Sequence, residues 1–190
     1  SLNFDDHNRL SFDNSYVNYE KGIANLTIGK VDRIWAFSKK SSLILSSNSR
    51  PVEAISIKLE DKFNTYWLFS NGNWSVDIIN GTTKDSLNNE NSMITGARVV
   101  ISPSHKLSFE ILQTTQWGDQ NSKLNPTNID ALLLGNTNEG KNSSMNKVAG
   151  FGISYSLPLR QNTYRLYAQT IGEDEAGSLP SCLSWMTGFE

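Results

Sequence analysis

The chain alternates between apolar and polar positions. In "KVAGFGISYSL", 147–157, Ala149, Phe151, Ile153, Tyr155 and Leu157 occupy every second position, with Gly150, Gly152, Ser154 and Ser156 between them. A period of two marks a strand with one apolar and one polar face. "TYRLYAQTI", 163–171, sets Tyr164, Leu166 and Ala168 opposite Arg165 and Gln169. "GIANLTIGK", 22–30, and "VEAISIKLE", 52–60, follow the same rule, and "MITGARVVIS" and "LSFEILQTTQW" follow it more weakly. The pattern predicts about nine strands, near 10–19, 23–31, 52–60, 73–80, 93–102, 107–117, 147–157, 163–172 and 184–190.

The connections differ in length. Glu20-Lys21-Gly22, "PSHK" (103–106) and "PLRQN" (158–162) are tight turns, with Pro103 fixing φ in the second. Segments 32–51, 81–92, 118–146 and 173–183 are long and polar, and 61–72 is intermediate. Short turns at one end and long connections at the other predict an all-β, antiparallel up-and-down meander. Bacterial outer-membrane barrels have this asymmetry and strands of about 9–11 residues. Within the longest connection, "NPTNIDALLLG", 125–135, predicts a short helix over a rim, with Pro126 near its start and Gly135 at its stop.

A soluble sandwich alternates too. Two features tilt the reading toward lipid. A face of Gly and Ser suits a polar lumen. Trp35, Phe37, Trp67, Phe69, Trp74, Trp117 and Trp185 also fall near strand ends, where interfacial aromatic girdles sit. The alternative is that these rings fill a core.

Composition narrows the function classes. Hydrophobic residues make up 37%, and the net charge of −2 leaves no basic footprint for nucleic acid. Cys182 is the single cysteine, which excludes an internal disulfide or a thiolate metal cluster. His7 and His105 lie far apart and read as surface residues. No nucleophile triad, P-loop or dinucleotide fingerprint occurs, so neither an enzyme nor a cofactor is expected. Both ends, "SLNFDDHNRL" without signal-peptide features and "SCLSWMTGFE" in mid-strand, read as cut, and a fragment of a longer protein is expected.

Five stretches carry a resemblance. "GKVDRIW…SSLILSSNSRP" (29–51), "QTTQWGD" (113–119), "DALLLGNTNEG" (130–140), "NKVAGFGISYSLPL" (146–159) and "LYAQTIGEDEAGSLPS" (166–181) resemble, in this order, the capsule assembly protein Wzi family. The similarity spans about residues 10 to 190. The resemblance implies a monomeric Gram-negative outer-membrane barrel of eighteen strands with an N-terminal helical plug, which is not an enzyme. Such a protein is a lectin for capsular polysaccharide, with loops at the cell exterior and lipid around its wall. Residues 1–190 would then be a partial barrel domain, about half of the wall, without the plug. Ala36 to Lys40 depart from the family pattern, placing Lys39 and Lys40 where the family carries an acid. The runner-up function is a porin or transport barrel for small solutes.

The candidate glycan contacts lie at the ends of strands on the long-connection side. Asp32, Arg33 and Trp35 either bind sugar hydroxyls or brace their loop. Asp32 and Arg33 are read as a lumen or rim pair, Trp35 and Phe37 as external interface residues, and Leu43-Ile44-Leu45 as packing the loop onto the wall. Gln116 and Trp117 pair an amide with a ring, the kit for hydrogen-bonding and stacking on a sugar, or else form an interface anchor. Glu173 and Asp174, with Glu175, form an acidic loop run. It suits bracing through Arg165 or Arg33, or bridging cations to polysaccharide and lipid phosphate, better than acid–base catalysis.

Overall fold

The computed structural model describes residues 3–4, 10–11, 13–45, 51–63, 71–84, 91–117, 146–159, 162–176 and 179–190. Strands β1 (Asn3–Phe4) and β2 (Leu10–Ser11) pair separately. A single 9-stranded antiparallel sheet holds the rest. Its strands are β3 (Tyr16–Lys21), β4 (Ala24–Lys30), β5 (Glu53–Phe63), β6 (Gly72–Lys84) and β7 (Asn91–Ser102). They continue with β8 (Leu107–Trp117), β9 (Asn146–Leu159), β10 (Asn162–Ala176) and β11 (Leu179–Phe189). Each strand pairs with its neighbours in sequence. This is the expected all-β meander, and the sheet does not close on itself.

Several boundaries differ from expectation. The first long strand begins at Tyr16 rather than near residue 10. The segments read as loops at 81–92 and 173–183 contain strand among the described residues, because β6 and β7 run to Lys84 and from Asn91, and β10 and β11 run to Ala176 and from Leu179. The polar run at 173–175 hides this in the sequence, since polar residues on both faces erase the alternation. Register slips there twice. Gly172 faces Leu183 while Glu173 faces Ser181, which leaves Cys182, at φ 51°, as an extra residue. Glu175 faces Pro180, which leaves Asp174 as a second one. Such bulges bend a strand and end regular pairing at a rim. The helix expected at 125–135 lies outside the described residues.

The strand order brings the ends of β3, β5, β7 and β9 and the starts of β4, β6, β8 and β10 to one rim. The ends of β4, β6, β8 and β10 and the starts of β5, β7, β9 and β11 lie at the other. The strand ends that flank the expected short turns and those that flank the expected long segments thus fall on opposite sides, as expected.

Cross-strand register gives each face a prevailing polarity. Ile57, Ile78 and Ala97 align with Gln113 and Ala149 on one face, as do Phe109, Ile153 and Ile101 nearby. This outer face leaves large apolar side chains open, Ile111 at 69% and Phe151 at 57% among them. The inner face carries Ser56, Lys58, Asp77, Arg98, Glu110, Ser154 and Gln169. The face assignment of β9 read from the sequence holds: Phe151, Ile153, Tyr155 and Leu157 are exposed outward, and Gly152 and Ser154 are buried on the inner side. An apolar face left open in this way calls for a cover that these strands do not themselves supply.

Candidate functional site

The segment that follows β4 does not stay at its rim. Residues 31–45 fold across the inner face as a strap. Its hydrophobic anchor is Trp35, 4% exposed, which packs with Ile79 and Leu112, while Ile44 and Leu45 cover the cluster. Gly96 makes room for the ring, since a Cβ there would stand 2.9 Å from Trp35 Cη2. The strap closes on itself where Trp35 N–H donates to Leu45 O at 3.2 Å and Ser42 Oγ donates to Trp35 O at 2.7 Å.

Polar side chains of the wall then hold it. Gln169 is 2% exposed and uses both ends of its amide. Its Nε2 donates to Trp35 O at 2.7 Å and to Glu110 Oε1 at 3.0 Å, and its Oε1 accepts from Leu43 N–H at 3.1 Å. Arg98 donates to Glu110 Oε2 through Nε at 2.9 Å and Nη2 at 2.6 Å. The Glu110 carboxylate is thus satisfied on both oxygens, as a buried charge requires. Gly152 sits opposite Glu110, and a Cβ there would overlap the carboxylate. Towards the short-turn rim, Arg165 Nη1 donates to Phe37 O at 3.0 Å, and Lys39 N–H donates to Glu190 Oε1 at 3.0 Å. The Arg98 guanidinium lies 6.0 Å from the Phe37 ring centre.

Replacing Gln169 with Leu removes three hydrogen bonds and leaves Trp35 O and Leu43 N–H without this partner. The expected cost is about 1–3 kcal/mol. Limited proteolysis of the full-length protein should then cut within 31–45 at protease levels that leave the wild type whole. Equal resistance would show that Gln169 does not hold the strap.

The seven candidate contacts separate into distinct environments. Trp35 is a correction: it is not an external interface ring but the buried anchor of the strap, and Phe37 also turns inward, half-buried. Arg33 braces the loop, donating from Nη1 to Val31 O at 2.9 Å and Val52 O at 3.1 Å, and from Nη2 to Ser56 Oγ at 3.4 Å. Burial lowers its pKa from the ordinary arginine value by desolvation. Asp32 is exposed, and among the described residues no ion pair joins it to Arg33, so the expected pair does not form. Gln116 is exposed near the end of β8, opposite Ile94 and Asn146. Trp117 follows it, opposite Met93, and its side chain lies outside those described. Glu173 and Asp174 lie at the bulges of β10, on the same rim as Gln116 and Asp32, and their side chains also lie outside those described. The expected packing of Leu43-Ile44-Leu45 onto the wall is seen at Ile44 and Leu45.

Sequence reading missed Arg98, Glu110 and Gln169 as a unit. A signal was present, because each takes an inward position of a strand whose neighbours in the alternation are apolar and outward.

A family model described as capsule assembly protein Wzi matches residues 2–190. A Klebsiella pneumoniae protein, described as an uncharacterized 55.8 kDa protein in the cps region, is 27% identical over 169 residues, 87% of this chain and 34% of that protein. One solved structure superposes with a TM-score of 0.75 and 24% identity, covering 98% of this chain and 40% of the other. It is described as Wzi, an outer membrane protein involved in group 1 capsule assembly in Escherichia coli and a carbohydrate-binding β-barrel. The chain therefore spans 34% and 40% of the lengths of these two relatives.

Proposed function

The chain belongs to the capsule assembly protein Wzi family, and from this premise we propose that it forms part of an outer-membrane barrel wall that binds surface polysaccharide. In this reading the protein assists capsule assembly or attachment by binding, without catalysis. The observation that carries it is the polarity of the 9-stranded sheet, apolar outward and polar inward. Lipid satisfies such an outer face, and an aqueous lumen satisfies such an inner one. Strands β3 and β11 stand at the sheet's two edges. Hydrocarbon does not tolerate open edges, so we assign the remaining strands of one monomeric barrel to them. The description of the Escherichia coli protein as carbohydrate binding supports the ligand class.

We assign the glycan contact to the rim that carries Asp32, Gln116, Trp117, Glu173 and Asp174, and that rim to the cell exterior. Arg33 and Trp35 act there through the strap they hold. The buried Trp35–Ile79–Leu112 cluster on the inner face favours a filled lumen over the open path of a porin. Single-channel conductance of the full-length protein checks this point: little or no steady current is expected, and an ungated open pore would favour transport.

The experiment for the binding reading is a Gln116→Ala, Trp117→Ala double variant of the full-length protein, assayed for glycan affinity and for capsule retention on cells. Loss of one ring stack and one amide contact should weaken binding about tenfold, with the heat stability of the barrel unchanged. Unaltered affinity and retention in a stable double variant would remove Gln116 and Trp117 from the site.

A further inference from the structure

Beneath the tip of the strap, at the short-turn end of the inner face, lies a cleft. Its volume is about 330 Å³, within the range of about 300–1,000 Å³ typical of small-molecule sites. Phe37 and Lys39 of the strap form one wall, and Ser154, Ser156, Arg165 and Glu190 belong to the other. We propose that this cleft is a second saccharide site, selective for an acidic sugar whose carboxylate meets Lys39. The proposal rests on the glycan-binding reading and extends it to a different place and a defined chemistry.

Charge sets the class. Arg165 is occupied: one nitrogen donates to Phe37 O, and Nη2 stands 3.9 Å from Glu190 Oε2. Lys39 is exposed, and its ammonium makes no ion pair among the described residues. Lys39 and Arg165 against Glu190 leave one positive charge in excess, carried by Lys39. A single unengaged ammonium suits a carboxylate monoanion, whereas a phosphate dianion calls for convergent cations or a bidentate guanidinium.

The rest of the lining suits a sugar. Ser154 and Ser156 make no side-chain hydrogen bond among the described residues, so each hydroxyl can both donate to and accept from a polyol. The half-buried Phe37 ring supplies the apolar surface that a sugar ring covers. Backbone ties fix the wall that bears Lys39, because its own N–H is held by Glu190 and the preceding Phe37 carbonyl by Arg165. The Lys39 ammonium is therefore free to respond to a ligand while its backbone stays in position.

Isothermal titration calorimetry of the full-length protein in detergent tests the assignment, with digalacturonate and its carboxyl-reduced neutral counterpart as probes. The acidic probe should bind about tenfold more tightly at low salt, the size of one charge-assisted hydrogen bond. The gap should narrow as ionic strength rises. Lys39→Gln should bring the acidic probe to the affinity of the neutral one and leave the neutral one unchanged. Equal affinities in the wild type, or an acidic preference that survives Lys39→Gln, would overturn the proposal. Absence of binding by both probes, with surface polysaccharide still bound in the rim assay above, would overturn the cleft alone. Absence of binding in both assays would overturn the glycan reading and the cleft together.

Discussion

Glu110→Ala is expected to destabilise the full-length barrel by about 3–5 kcal/mol, the cost of leaving a buried cation without its counter-charge. The Glu110 side chain has no exposed surface, and that of Arg98 keeps 13%. Arg98 spends two donors on one carboxylate oxygen, and Gln169 occupies the other. Removal of Glu110 therefore strands a guanidinium against the wall and also frees the amide that holds the strap. Replacing Arg98 and Glu110 together with Met and Leu should recover most of the loss, because an apolar pair of similar volume leaves no charge unpaired. Urea titrations of the variants in bilayers measure both effects. A single variant as stable as the wild type would show that water or another carboxylate reaches Arg98 and that the pair does not hold this part of the wall.

Phe151→Arg is the second large effect. Phe151 points outward near the middle of β9, 57% exposed. If its surroundings are hydrocarbon, a charge there costs about 2–4 kcal/mol, falling to about 0–1 kcal/mol near an interface. Leu159, at the short-turn end of the same strand and also outward, provides the internal comparison. Leu159→Arg should be nearly neutral in the same titration. Equal costs at the two positions would contradict a lipid-facing band, since only the bilayer makes the penalty depend on depth.

The wall was legible in the sequence, and the lumen was not. Alternation at 147–157 and 163–171 assigns faces directly, because each outward side chain meets one solvent and each inward one another. That logic covers β4, β5, β9 and β10 almost residue by residue. It fails at 173–175, where the polar run reads as a loop although Glu173 and Glu175 pair across bulges with Ser181 and Pro180. The strap fails for a different reason. Trp35 near a strand end is read as a rim aromatic. Its burial is decided by Ile79, Leu112 and Gln169, the last of which is 134 residues away. No local pattern records such partners. The apolar Leu43-Ile44-Leu45 patch was the local sign that this connection returns to the wall. Charged residues at inward positions, Arg98 and Glu110 above all, were the sign that something polar crosses the lumen. Asp32 and Gln116 could be placed on one rim from sequence because the count of strands between them fixes their side, whatever the loops do.

Spin labels along β9 of the full-length protein in bilayers test the lipid-facing wall most directly, after Cys182→Ser removes the native thiol. Labels at Phe151→Cys, Ile153→Cys and Tyr155→Cys should be relaxed by oxygen dissolved in the bilayer and shielded from a water-soluble nickel chelate. Labels at Ser154→Cys and Ser156→Cys should escape the oxygen effect. An alternation of period two with this phase is the expected result. Oxygen access at Ser154 and Ser156 in place of Phe151 and Ile153, or chelate access at every position, would mean that the sheet faces water and does not line a membrane barrel.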